Sequence, residues 1–382
     1  MSRRALMLPI VALLSISAPF PAGAHHMEHI ACPKEPTRAF PSGFKPPVDL
    51  QAAICANTPN PWADLHVGGW GGGRCPAGHR RRIPVVFVHG QSTDGWYWNA
   101  SSESPDGSSV NVRRRFLDAG YCAGELWAIT YSGDATPRGG VGTSYNTYAD
   151  IQAEEVYRFL RAVRDFVGTS KVDVVAHSLG VTVVRKAMFL HRDEPAASNP
   201  YAFVRHALMI AGANHGTTTC RGEEMYALLH VCHEVVPGSP WLAELNSIGE
   251  SRGPTRWETV CDCGGVADDF YLGPDALSPL LEGAAEIRLA NTDHFRLATS
   301  QTAIAAYRPF LIEGSESAAA LPATKPVGAP GSGPKQGRSA HRPPAGGPGS
   351  LPATGAGDRS WLPAALIALA LGSERMRRRV RA

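Results

Sequence analysis

A serine stands where a buried strand pattern turns at once into a helical one: Val172-Asp173-Val174-Val175-Ala176-His177-Ser178-Leu179-Gly180, then an apolar helical stretch over 181–190. A sharp strand-to-helix turn lifts a serine hydroxyl above the sheet and sets it at a helix N-terminus, whose dipole favours negative charge. Attack on a carbonyl carbon creates such a charge on oxygen. Small residues are required beside the turn because the backbone folds back on itself, and Ala176 and Gly180 supply them. The same residue types also fit a serine that only caps a crossover helix, so its partners decide.

A serine hydroxyl is a weak nucleophile and needs a base, which in turn needs an orienting group. Of the 14 His, His294 in Asn291-Thr292-Asp293-His294-Phe295 lies in a loop after the last strand pattern and before a terminal helix. His89 and His177 belong to strand-end motifs and read as structural. His25, His26 and His29 crowd the N-terminal stretch without a metal-site pattern. The orienting carboxylate is expected after the strand Trp257 to Val260. Asp268 is chosen for the run Asp268-Asp269-Phe270-Tyr271; Asp269 is its rival, with Asp262 in or near the strand and Asp275 further out. A second apolar strand, Ile83 to Val88, ends in His89-Gly90-Gln91. Trp96, Tyr97 and Trp98 follow. They read either as flanking the mouth of a site, where Trp96 and Trp98 grip an apolar chain, or as packing the loop onto the core.

These residues need a scaffold. Short runs rich in Val, Ile and aromatics predict strands over 84–88, 126–131, 172–176, 207–211, 257–260 and 286–289, with helical patterns between most of them. The clearest helix spans 150–167, with Ile151, Val156, Phe159, Leu160, Val163 and Val167 on one face and Gly168 as its stop. The alternation predicts an α/β fold: a mostly parallel open sheet of about six strands with helices on both faces. Its site belongs at the carboxyl ends of the strands.

The 40 Gly and 31 Pro among 382 residues exclude a helix bundle, and their aperiodicity excludes collagen. A net charge of +3 is too slight to point to nucleic acid. Residues 1–24 read as a signal peptide, with Arg3 and Arg4, an apolar run and Ala22-Gly23-Ala24. Residues 25–74 read as an N-terminal extension and 75–313 as the catalytic domain. Residues 314–350 are a Pro/Gly-rich linker that cannot bury enough surface to fold. Residues 351–382 (Leu-Pro-Ala-Thr-Gly, an apolar run, then arginines) look like a sorting signal for attachment to a cell wall or membrane. A secreted chain would pair some of its eight Cys, though sequence does not choose the pairs.

The chain resembles secreted bacterial lipases of the α/β-hydrolase fold that carry Ala-His-Ser-x-Gly, and is similar to the lipase-like extracellular depolymerases of poly(3-hydroxybutyrate). The likeness rests on residues 68–75, 86–90, 119–121, 129–131, 145–146 and 172–180, within a stretch of 66–185. It implies Ser178 as nucleophile, with the backbone N–H groups of Gln91 and Leu179 forming the oxyanion hole. The order Ser178, Asp268, His294 matches the hydrolase order. Beyond the nucleophile the chain looks more like compact lipases. The resemblance therefore implies hydrolysis of an apolar ester, whether acylglycerol or polyester, by a monomer without metal or organic cofactor. An acyltransferase or thioesterase on the same machinery, and a non-catalytic surface adhesin, are the competing readings.

Overall fold

A computed structural model describes residues 37–50, 66–91, 93–100, 103–131, 149–221 and 230–312. The segments read as signal peptide, linker and sorting signal lie outside the described residues, as do Cys32 and Cys55. Eight strands form one sheet: β1 (Arg38–Ala39), β2 (Gly68–Gly71), β3 (Val85–Val88), β4 (Leu126–Thr130), β5 (Val172–His177), β6 (Val204–Ile210), β7 (Arg256–Cys261) and β8 (Ala285–Arg288). Their order is β1-β2-β4-β3-β5-β6-β7-β8. Strands β3 to β8 run parallel to their neighbours, while β2 is antiparallel to β4.

The sheet thus has eight strands where about six were expected. Both additions come from the stretch read as an N-terminal extension. Gly-Gly-Trp-Gly has no strand propensity of its own, and β2 forms because its neighbour leaves room for nothing larger. A Cβ on Gly71 would lie 2.5 Å from the Trp127 ring. Trp70 turns the other way into the core, its indole N–H donating to the Gly95 carbonyl at 2.7 Å.

The helices are α1 (Val112–Asp118), α2 (Ala149–Val167), α3 (Leu179–Leu190), α4 (Pro200–Phe203), α5 (His230–Val235), α6 (Pro240–Asn246), α7 (Arg296–Thr299) and α8 (Gln301–Ile312). Register pairs Val86 with Trp127 and Phe87 with Ala128, so Phe87 and Trp127 point to opposite faces of the sheet. Phe116 of α1 meets Phe87 edge-on at 5.1 Å. Phe159 of α2 packs on Phe44, which in turn lies 4.8 Å from Trp127. Helices therefore cover both faces. From β3 the chain crosses to β4 on one side, and from β5 to β6 on the other. The carboxyl ends of β3 and β5 accordingly border the crevice where such sheets place their chemistry.

Three disulfides join Cys75 to Cys122, Cys220 to Cys232 and Cys261 to Cys263. Among the described residues no helix is long and apolar enough to cross a membrane.

Candidate active site

Strand β5 ends at His177 and α3 begins at Leu179, leaving Ser178 alone to make the turn at φ 57°, ψ −128°. A non-glycine residue held there stores on the order of 1–3 kcal/mol, which the surrounding structure must hold in place. Two bonds do so directly: the Ser178 N–H donates to the Ile210 carbonyl at 2.9 Å, and its carbonyl accepts from the Val181 N–H at 3.0 Å. The end of β3 closes against the same turn. A Cβ on Gly180 would collide with the His89 carbonyl, and one on Gly90 would stand 2.7 Å from Ser178 Cβ and 3.3 Å from its Oγ. Gly90→Ala must therefore push the loop off the serine. Its kcat on a short-chain nitrophenyl ester is expected to fall about 100-fold, the usual cost of losing one oxyanion donor; a fall under threefold would show that the loop has slack.

His294, from the loop between β8 and α7, is buried beside Ser178, with Nε2 2.8 Å from the serine Oγ. Its Nδ1 lies 3.1 Å from both carboxylate oxygens of Asp268, which is also buried. A carboxylate accepts, so Nδ1 carries the proton and the Nε2 lone pair faces the hydroxyl. The loop after β7 thus brings Asp268, rather than its rival Asp269, to the imidazole. Asp262 has a different place. Its Oδ2 accepts from the Ala267 and Asp268 N–H groups at 2.9 and 3.2 Å, bending the loop that presents Asp268. Asp275 accepts from the Thr218 N–H and ties the loops after β6 and β7 together.

The groups around this cluster are held neutral. Burial pushes His89 down to about 4 and His177 well below the ordinary histidine range, and raises Tyr271 well above the usual phenol range. His89 shapes the loop that leads to Gln91. Its Nε2 accepts from the Tyr131 N–H at 3.3 Å, so its Nδ1–H donates to the Gly90 carbonyl at 2.8 Å. The Tyr131 ring stacks on it at 4.0 Å, and the tyrosine hydroxyl donates to the His89 carbonyl at 2.7 Å. Gln91 follows directly after the glycine that touches Ser178. Leu179 opens α3, where first-turn N–H groups have no partner inside the helix.

The aromatic trio does not sit together at a mouth. A 3₁₀ turn over Gly95–Asn99 points successive side chains in different directions. Trp98 is fully buried against Phe87, at 5.3 Å, and has no surface to offer a substrate. Trp96 is half-buried, and Tyr97 packs flat on His177 at 5.5 Å. Room for a ligand lies elsewhere on the same edge of the sheet. A cavity of about 410 Å³ opens between the loops after β6 and β7, with Pro237, Pro274, Leu277 and Leu280 lining it together with the polar His215, Thr218, Arg221, Asp275 and Ser278. Neither Ser178 nor His294 lines it. Phe270, from the loop after β7, accepts from Thr217 Oγ1 through its carbonyl at 2.7 Å and has its ring 4.4 Å from His294.

Among the described residues, one group of metal-ligating residue types converges, namely Cys75, His79, Cys122 and Glu125. Its two sulfurs are joined to each other, and His79 Nε2 pairs with Glu125 at 3.0 Å. In this oxidised form the four offer no thiolate to an ion.

The profile of the family Lipase (class 2) matches residues 82–264, which include both strand-end loops and the serine turn. Residues 82–264, just under half of the chain, thus carry the lipase family's signature on a sheet of α/β-hydrolase topology. The enzyme hydrolyses carboxylic esters. No curated protein matches it significantly. Among solved structures, the mature lipase BlEst2 of Bacillus licheniformis is similar at 16% identity over 62% of this chain and 96% of that one, with a TM-score of 0.43. Aspergillus fumigatus lipase B gives 16% identity over 64% and 57% of the two chains, TM-score 0.44. The phospholipase PlaB of Legionella pneumophila, in complex with thio-NAD, gives 17% over 60% and 57%, TM-score 0.40. These TM-scores are too low to add to the family assignment.

Proposed function

We propose that the enzyme is an exported serine hydrolase that cleaves an apolar ester, an acylglycerol or a poly(3-hydroxybutyrate)-type polyester, through Ser178, His294 and Asp268. The observation that carries this reading is the 2.8 Å contact of His294 Nε2 with Ser178 Oγ, backed by Asp268 on the other ring nitrogen. Nε2 takes the hydroxyl proton as Oγ attacks the ester carbonyl, and Asp268 stabilises the imidazolium that results. The N–H groups of Gln91 and Leu179 hold the oxyanion. The imidazolium returns its proton to the departing alcohol. Water, deprotonated by the same nitrogen, then releases the acid from Ser178. The Pro237, Pro274, Leu277 and Leu280 part of the cavity between the loops after β6 and β7 supports a substrate with hydrocarbon bulk, and the three disulfides support export. Residues 351–382 would then tether the enzyme at the cell surface.

The test combines labelling with a substrate panel. An organophosphate is expected to modify the enzyme once per chain, at Ser178, and to abolish hydrolysis of tributyrin, a long-chain triglyceride and amorphous polyhydroxybutyrate alike. Full activity after labelling, or turnover of none of the three, would sink the reading; the ranking of rates assigns the substrate.

A further inference from the structure

His177 stands next to the serine and is fully buried, yet its chemistry is not used by the proton path above. Its Nε2 lies 2.9 Å from the backbone carbonyl of His294. A carbonyl accepts, so Nε2 carries the proton and Nδ1 is a lone-pair nitrogen. That Nδ1 is shielded from water with no hydrogen-bond partner among the described residues. Burying an unmatched polar atom is unfavourable, and an apolar ring of the same size would fill the space without that cost. The Nε2–H bond is what the imidazole adds. Tyr97 lies flat against the same ring, 16° from parallel, and its hydroxyl donates to the next carbonyl, that of Phe295, at 3.1 Å. Two consecutive carbonyls of the loop that carries His294 are therefore gripped from the opposite side of the crevice. One grip comes from the serine turn, the other from the 3₁₀ turn that follows the Gly90 loop.

We propose that His177 and Tyr97 are positioning residues, a two-point clamp that fixes His294 at bonding distance from Ser178. Together they close a small ring: Ser178 is covalently next to His177, His177 donates to the His294 backbone, and the His294 side chain returns to Ser178 Oγ. Without the clamp, the His294 ring is still held by Asp268, and the backbone around it by bonds on its own side. There Asp293 Oδ1 accepts from the Phe295 and Arg296 N–H groups at 3.1 and 3.0 Å. The clamp works only with a neutral His177, because a second proton on Nδ1 would have no acceptor. Burial and the neighbouring His294 and His89 keep it so. The other groups against the ring, Trp98 and Phe295, carry no charge.

The clamp rests on the reading of Ser178 and His294 as nucleophile and base, and the experiment separates the two. Ser178→Ala, His177→Phe, His177→Gln and Tyr97→Phe are compared in the full chain by kcat, KM and the rate of organophosphate labelling, with circular dichroism to establish folding. A displacement of about 1 Å at a reacting group costs on the order of 100-fold. His177→Phe is therefore expected to lose about that much in kcat and in labelling rate, with KM within about threefold. His177→Gln, which restores an N–H, should regain about tenfold of the loss, and Tyr97→Phe should lose about three- to tenfold in kcat. The clamp is overturned if His177→Phe folds and keeps kcat within threefold of the parent, or if His177→Gln is folded and no better than the Phe variant. Should the Phe variant not fold, a Tyr97→Phe enzyme with unchanged kcat and labelling rate overturns it, and one slowed at constant KM upholds it. Turnover in Ser178→Ala within tenfold of the parent would instead remove the underlying reading.

Discussion

Ser178→Ala lowers kcat on a short-chain nitrophenyl ester by about 10⁶-fold, and adding His294→Ala to it costs little more. The two groups share one proton across 2.8 Å, so removing either disables the step that both perform. Alanine keeps the backbone turn at φ 57°, because the strain there belongs to the main chain and is no worse for a methyl than for a hydroxymethyl group. The amides of Gln91 and Leu179 also remain. Residual catalysis of about 10³-fold over water is accordingly expected from oxyanion stabilisation and binding alone. The measurement is kcat for the two single variants and the double. Single losses that multiply in the double would mean that serine and histidine act independently, and the proposed proton path would fail.

Asp268→Asn is the second large effect, about 10⁴-fold in kcat, against less than threefold for Asp269→Asn. Both oxygens of Asp268 face His294 Nδ1 at 3.1 Å. An asparagine can turn its NH₂ toward that nitrogen, which then accepts, so the proton moves to Nε2. The imidazole would present N–H to Ser178 where a lone pair is required. The shape is nearly unchanged, so the loss reads the tautomer rather than the packing. Equal losses in the two Asn variants, or a larger one at 269, would reassign the orienting acid. The comparison is clean because the two carboxylates are adjacent in sequence and Asp268 is bonded to the ring.

The nucleophile turn and the His-Gly loop are legible because their geometry constrains residue type: few side chains tolerate the contact of Gly90 with Ser178 or of Gly180 with His89. The parallel strands β3 to β7 are legible for a related reason, being buried on both faces and so written in Val, Ile and aromatics. The family match ends at residue 264, before both Asp268 and His294. Those two sit on loops that need only reach the serine, so their sequences are loosely bound by geometry. Asp268 over Asp269 rests on which side chain points inward, a matter of one residue that a short polar loop does not encode. Strand β2 escaped pattern reading because its glycines answer to the bulk of Trp127 on another strand. The misplacement of Trp98 has the opposite origin. Three adjacent aromatics look like one surface in sequence, but a tight turn separates them, sending Trp98 into the core and Tyr97 against His177.

Strand β8 is the last of the sheet, pairs with β7 alone among the described residues and has three of its four residues exposed. The chain passes from it directly into the loop of His294, whereas Ser178 follows the buried interior strand β5. An exposed edge strand therefore leads to the base, and a buried interior strand to the nucleophile. Openings of such an edge require far less free energy than global unfolding. Under mild denaturant or heat, catalysis would be switched off by local fraying while the core tryptophans are still packed, so activity reports on the edge of this molecule rather than on its fold.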